Sequence, residues 1–294
     1  MEINHHSLQT LETAFSAHFQ RGFNEVPLDW PFLADEVPSN TASNEYGWLG
    51  DWPGMREWID ERYIHALATH GYTLRNKKFE NTVGIPRETI SDDQFGIYAP
   101  RFVSQGRAAA THPNVLVHQV LLAGFDTTMA YDGKTLFASD HPFGSGTFSN
   151  YQSGSEPVWF LVDTAQPIKP MLMQMRERPE FTSLENPDTS DEVFLRDRYL
   201  YGVRARYNVG VTFPQLIFGS KAALNATNLK DAITTMSSYT NERGEPLGIM
   251  PTHILVGASN RFAARKLLLS ENLAGGESND LRGIVELRES RWLP

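Results

Sequence analysis

Apolar side chains recur at three- and four-residue steps from Leu8 through Leu11, Phe15 and Phe19 to Phe23, which puts them on one face of a helix. The stretch from Val26 to Asn44 breaks that rhythm with Pro27, Pro31, Pro38, Ser39, Asn40 and Ser43, so an extended arm is expected there. A tryptophan-dense segment, Tyr46 to Trp58, leads into a helix on which Met55, Ile59, Tyr63 and Leu67 share a face. From Tyr72 the period becomes two. Tyr72 and Leu74 alternate, and Phe79, Val83 and Ile85 then fall on a common face interrupted by Asn81. With a break at Pro86 and a return from Ile90 to Phe102, the pattern predicts a long, mostly polar hairpin. A two-stranded ribbon of that length is marginal alone, so its edges need either its own domain or another chain.

Val115, Leu116, Val120, Leu122 and Ala123 predict a helix over 107–124, with Pro113 in its first turn or at a kink and Gly124 as its stop. Residues 126–156 are rich in loops, with a turn at Asp132-Gly133. Val158 to Val162, Ile168 to Met175 and Val193 to Phe218 have strand composition, and Gly202 and Gly210 are expected bulges in the last. Met171, Met173 and Met175 alternate along their strand as core residues do. The final third turns to alternating helix and strand. Leu229, Ala232, Ile233 and Met236 make a helix face capped by Thr227 or Asn228. A turn from Asn241 to Gly244, a strand His253 to Val256, a helix capped by Ser259 or Asn260, a loop over 272–281 and a strand Ile284 to Leu287 complete the chain. The class is α+β.

At 294 residues and 40% hydrophobic content the chain can bury a sizeable core, and no apolar run approaches the length of a membrane span. With no cysteine, disulfides, thiol nucleophiles and Cys-based zinc sites are all excluded. A net charge of −9, from 26 basic and 35 acidic residues, speaks against a dedicated nucleic-acid binder.

Catalytic motifs are missing. There is neither a Gly-x-x-x-x-Gly-Lys phosphate loop nor a Gly-x-Gly-x-x-Gly turn, and Gly257-Ala-Ser259-Asn-Arg261 lacks the second glycine of a nucleophile elbow. The pairs His65/His70 and His112/His118 are not spaced to share a helix face as metal ligands do. Asp140-His141-Pro142 is the residual candidate for a base or a metal ligand in a hydrolase, set against a histidine that only stabilises its turn. Asp92-Asp93 could take a cation, yet two adjacent acids without further ligands more often form a solvated turn. Arg75, Lys77, Lys78 and Arg87 alternate with acids, which suits a polar contact surface better than a DNA groove. Trp48, Trp52, Arg56 and Trp58 lie beside the extended arm and suit contacts between subunits.

A set of motifs, in order along the chain, resembles the major head subunit family of Mu-like bacteriophages. They are Trp48-Leu-Gly-Asp-Trp-Pro-Gly-Met-Arg-Glu-Trp58, Asn76 to Val83, Ile90-Ser-Asp-Asp93 with Gly96 to Pro100, Tyr131-Asp-Gly133, Phe137 to Pro142, Met175 to Phe181, Tyr201 to Arg206 and Gly248 to Pro251. The resemblance covers roughly residues 45–290 and implies the major capsid fold of tailed phages. On that template residues 1–66 form an N-terminal arm and 70–105 an extended loop hairpin reaching over a neighbour, both expected to find their stabilising partners on other copies of the chain. Residues 107–218 form a peripheral domain with a long spine helix, 222–270 an axial domain, and 271–294 a return segment.

The implied function is assembly rather than catalysis, without metal or cofactor, into hexamers and pentamers of a virion shell around double-stranded DNA. The implied partners are other copies of the chain, with scaffolding, portal and decoration proteins, DNA being met only by non-specific proximity and no membrane being involved. Assembly in the host cytoplasm goes with it. Subunit contacts are expected at Trp48, Trp52, Arg56, Trp58, Arg75, Lys77, Lys78, Arg87, Asp92 and Asp93. Another phage structural protein, of tail or decoration type, is the remaining alternative.

Overall fold

A computed structural model describes residues 5–47, 49, 71–92, 95–143, 146–185, 190–241, 244–272 and 276–294. In chain order the elements are α1 (His5–Asn24), β1 (Ala34–Pro38), β2 (Ser43–Glu45), β3 (Thr73–Arg75), β4 (Lys77–Pro86), α2 (Arg87–Ser91) and α3 (Phe95–Leu122). There follow β5 (His141–Phe143), β6 (Gly146–Phe148), β7 (Tyr151–Gln152), β8 (Trp159–Val162), β9 (Met171–Leu184), α4 (Asp191–Arg196) and β10 (Arg198–Val211). The chain ends with β11 (Ile217–Ser220), α5 (Ala226–Ser237), β12 (His253–Val256), α6 (Arg261–Leu269) and β13 (Glu286–Glu289).

Among the described residues, two sheets organise the molecule. The long sheet runs β1-β9-β10-β4, and the second runs β13-β12-β8-β11-β7. In the long sheet alternation decides which side is covered. Val83 and Ile85 of β4 and Tyr199 and Tyr201 of β10 bury against Leu11 and Phe15 of α1 and Phe102 of α3. In β8 every residue is buried because the second sheet is covered on both faces. Trp159 and Leu161 pack toward α5 and α6, while Phe160 and Val162 pack toward the core shared with α3 and the long sheet.

Three expectations are corrected. The hairpin over 70–105 does not form: β4 pairs antiparallel with β10, from Arg198↔Pro86 to Tyr207↔Lys77, and the expected return strand belongs to α3. Tyr98 and Phe102 pack into one cluster at a four-residue step, a helical spacing. The spine helix is therefore longer than 107–124, and Pro113 lies deep inside it rather than in its first turn.

Second, the arm finds partners on its own chain. β1 pairs parallel with β9 from Ala34↔Met171 to Pro38↔Met175, and α1 docks on α3. The docking is steric: a Cβ at Gly106 would run into the Phe19 carbonyl and one at Gly22 into that of Val103, so two glycines let the helix backbones touch. Glu12 accepts a 2.7 Å hydrogen bond from the Ser183 hydroxyl and ties α1 to β9 as well.

Third, neither Gly202 nor Gly210 is a bulge. The register shifts fall between Arg204 and Tyr207, opposite a stretch of β9 containing Pro179, which has no N–H to give to the ladder. Gly210 instead leaves room for the side chains of Leu74 and Tyr72, whose hydroxyl accepts a bond from Val211 N.

Local signals hold elsewhere, except at two helix caps. Met171 and Met173 lie in the core, and Gly133 and Gly244 turn with positive φ. The cap of α5 is Asn225, whose side chain accepts from Asn228 N, rather than Thr227 or Asn228. Asn260 stands at the start of α6, but its side chain donates to the carbonyls of Pro157 and Val158 instead of capping the helix.

Candidate assembly surfaces

The face of the long sheet turned away from α1 and α3 carries cross-strand rows set by the register. Glu80, Arg204 and Glu180 form one row and Thr82, Gly202 and Thr182 the next, followed by Gly84, Leu200 and Leu184 toward the ribbon end. Arg204 and Arg206 both reach Glu177, at 3.2 and 3.0 Å. A Cβ at Gly202 would meet only the Thr82 and Thr182 hydroxyls at ordinary contact distance, so the sheet itself does not require glycine there. A strand glycine without an internal reason fits close approach by another backbone.

At the end of β9 and β10 sits α4. Ser190 caps it by accepting from Val193 N, and Asp197 closes it at φ 48°. Val193 is buried among Leu11, Phe15 and Phe102, whereas Phe194 and Leu195 are each 74% exposed. On the second lobe Phe262 and Leu269 are both exposed and lie seven residues apart along α6, two turns on one face.

The residues expected at contacts distribute as follows. Arg75, Lys77, Lys78 and Asp92 are exposed, and Arg75 uses its carbonyl to accept from Asn208 Nδ2 at 2.8 Å. Lys77 and Lys78 begin β4 beside Tyr207 and Arg206, while Arg87 follows the other end of that strand, its amide donating to Asp197 O and its guanidinium 3.9 Å from the Asp197 carboxylate. The nine steps of β4 from Lys77 to Pro86 span roughly 31 Å at about 3.4 Å per residue, so the basic residues line an edge instead of forming one cluster. Trp48, Trp52, Arg56, Trp58 and Asp93 lie outside the described residues. Sequence reasoning missed α4, whose signal was the apolar pair Phe194-Leu195 just after a serine cap.

The catalytic candidate resolves into a structural network. His141 is fully buried; its Nδ1 lies 2.6 Å from Asp132 Oδ2, and its Nε2 faces Leu136 O and Asn150 Oδ1, both at 3.1 Å. Asn150 in turn donates to the carbonyls of Leu136, Pro214 and Ile217 and accepts from Ala138 N. With both ring nitrogens engaged by protein atoms, His141 has none left for a substrate or a metal. Burial holds the imidazoles of His112 and His118 below their ordinary value, and the His118 ring is occupied by Asn114 O at 2.7 Å and Ser290 Oγ at 2.9 Å. Among the described residues no group of acids and histidines could hold a metal, and no helix is long and apolar enough to cross a membrane.

A spine helix over a long sheet, joined to a sheet-and-helix lobe, defines the class as a tailed-phage capsid subunit. The JBD30 bacteriophage procapsid contains a chain that superposes with a TM-score of 0.86 at 37% identity, covering 99% of this chain and 100% of that one. The capsid of the same phage decorated with minor capsid protein trimers gives 0.80 at 28% identity over 94% of both chains. The major capsid protein of Escherichia phage Mu is 36% identical over 98% of each chain. Residues 8–293 match the family described as the Mu-like prophage major head subunit gpT, and the chain belongs to that family. Its function is structural: it is a major capsid subunit of a tailed-phage head and not an enzyme, and its place is the virion shell.

Proposed function

We propose that this subunit closes its shell through hexamers and pentamers around double-stranded DNA. The lobe built on α5 and α6, residues 222–270, is turned toward the capsomer axis, and the long-sheet lobe, within residues 107–218, lies at the periphery. Residues 1–66 act as the arm, 70–105 as the segment that meets a neighbour, and 271–294 as the return. β4 brings Lys77 and Lys78 to that meeting, flanked by Arg75 at the end of β3 and Arg87 at the start of α2, with Asp92 just beyond. Trp48, Trp52, Arg56, Trp58 and Asp93 are assigned to the same contacts.

The observation that carries this reading is the full-length likeness to shell subunits together with apolar side chains left exposed at opposite lobes, Phe194 and Leu195 on one and Phe262 and Leu269 on the other. A chain with several such surfaces can join several neighbours at once, and weak contacts repeated around a closed shell add up. Scaffolding and portal proteins are the expected assembly partners in the host cytoplasm, and decoration trimers of the kind on the JBD30 capsid are candidates for the finished surface. The net charge of −9 leaves the packaged DNA ungripped.

Expressed with its scaffold, the chain is expected to sediment as capsomers and shells with fivefold and sixfold units in electron micrographs. Small oligomers alone, at high concentration and with scaffold present, would refute the proposal.

A further inference from the structure

α3 and the long sheet leave a cavity of about 160 Å³ between them. Its walls are mainly apolar: Phe79 of β4, Pro179 of β9, Val203 and Tyr207 of β10, and the small Ala108 and Ala109 of α3. β4 is the outer strand of its sheet, so the cavity lies beside an edge rather than at the centre of the core. A dry apolar cavity of about 150 Å³ takes up one benzene ring, so this one has room for an aromatic side chain but not for a helix or a strand.

The fitting knob is on the same chain but out of its own reach. Phe194 and Leu195 project from α4, which Val193 pins into the cluster of Leu11, Phe15 and Phe102. The cavity's walls on β10 begin at Val203, five residues beyond the first residue of that strand, roughly 17 Å away at about 3.4 Å per residue. Phe262, also freely exposed, lies in a stripe with Lys266 and Leu269 that suits a broad face rather than a single hole.

We propose that Phe194, with Leu195 beside it, seats in this cavity of a neighbouring copy. The contact is head to tail: each copy gives a tip and receives one, the arrangement that generates rings rather than isolated pairs. The occupant is a second copy because the chain builds a shell of itself, and each copy carries both the tip and the hole. The inference rests on that assembly.

The lack of native cysteine makes a clean test. Particles carrying Leu195→Cys with Ala109→Cys are treated with a short thiol-to-thiol cross-linker and separated under denaturing conditions. A ladder at multiples of 33.1 kDa is expected from the double variant, and monomer only from each single variant. Should the double variant not assemble, the two single variants mixed into one particle are expected to give a cross-linked dimer. Monomer alone from intact particles overturns the contact. So does cross-linking of Leu195→Cys by itself, which would mean that tips meet tips, or the same ladder from Phe262→Cys with Ala109→Cys. Unmodified chain that yields no shells under the same conditions strikes the assembly reading itself, and this contact with it.

Discussion

The long sheet has two faces made by the same strands, and they are finished differently. On one, Tyr199, Tyr201, Val83 and Ile85 meet α1 and α3 in an aromatic layer, with Phe15 stacked on Phe102 at 4.1 Å and edge-on to Tyr201 at 5.1 Å. On the other, charged, threonine and glycine rows face outward, among them Thr82, Gly202 and Thr182. The first face completes the fold, and the second is exposed. A substitution can therefore damage the packed face while sparing the exposed one.

Breaking the inner face should have the largest effect. Phe102→Ala removes the ring at the centre of the aromatic layer and is expected to cost about 3–5 kcal/mol, read by denaturant unfolding of the unassembled subunit. A loss below about 1 kcal/mol would mean that the layer repacks freely. Gly106→Ala is expected to cost about 1–3 kcal/mol, because overpacking against the Phe19 carbonyl outweighs the better helix propensity of alanine. A rise in thermal midpoint would show that α1 is not docked by close backbone contact.

The third prediction concerns pH. His112 and His118 sit on α3, and burial lowers both from an ordinary value of 6.5. Below about 6.5 the unfolded chain binds protons that the folded chain refuses, so stability is full above that pH and falls as the pH drops through it. His118→Gln should flatten the slope between pH 7 and 5 in a series of unfolding curves, and an unchanged slope would assign the effect elsewhere. The smallest change belongs to the outer face. Glu177→Gln loses two partly exposed ion pairs, to Arg204 and Arg206, and should alter subunit stability by about 0–1 kcal/mol. If the outer face serves assembly, shell yield counted by electron microscopy should fall out of proportion to that.

Legibility in the sequence followed the range of the interactions. Local signals survived: the Leu8-to-Phe23 stripe is α1, Leu229 to Met236 is α5, and the methionine alternation is a core strand. Pairings did not. Nothing local tells β4 to choose β10 over a following strand, because alternation fixes which side chains share a face and leaves the partner strand open. Parallel pairing of β1 with β9 spans more than 130 residues and has no turn signal at all. The helix start at Phe95 was hidden inside the expected return strand Ile90 to Phe102, although Tyr98 and Phe102 share a helical spacing. For the surfaces, β4 was legible as a polar edge, whereas the partner of His141 was not, since Asp132 reaches it only after the loop folds back.

Pro113 lies within α3 and offers no N–H, so the carbonyl of Ala109 has no donor four residues on. The next residue, buried Asn114, accepts from the amides of Asp29 and Trp30 at 2.9 Å each and donates to Pro27 O. One point where the spine lacks a backbone hydrogen bond is thus a point to which the incoming polypeptide is clamped. Any bending of the helix there, as between the sharper vertices and the flatter facets of a closed polyhedron, carries that strap along as one hinge-coupled lever.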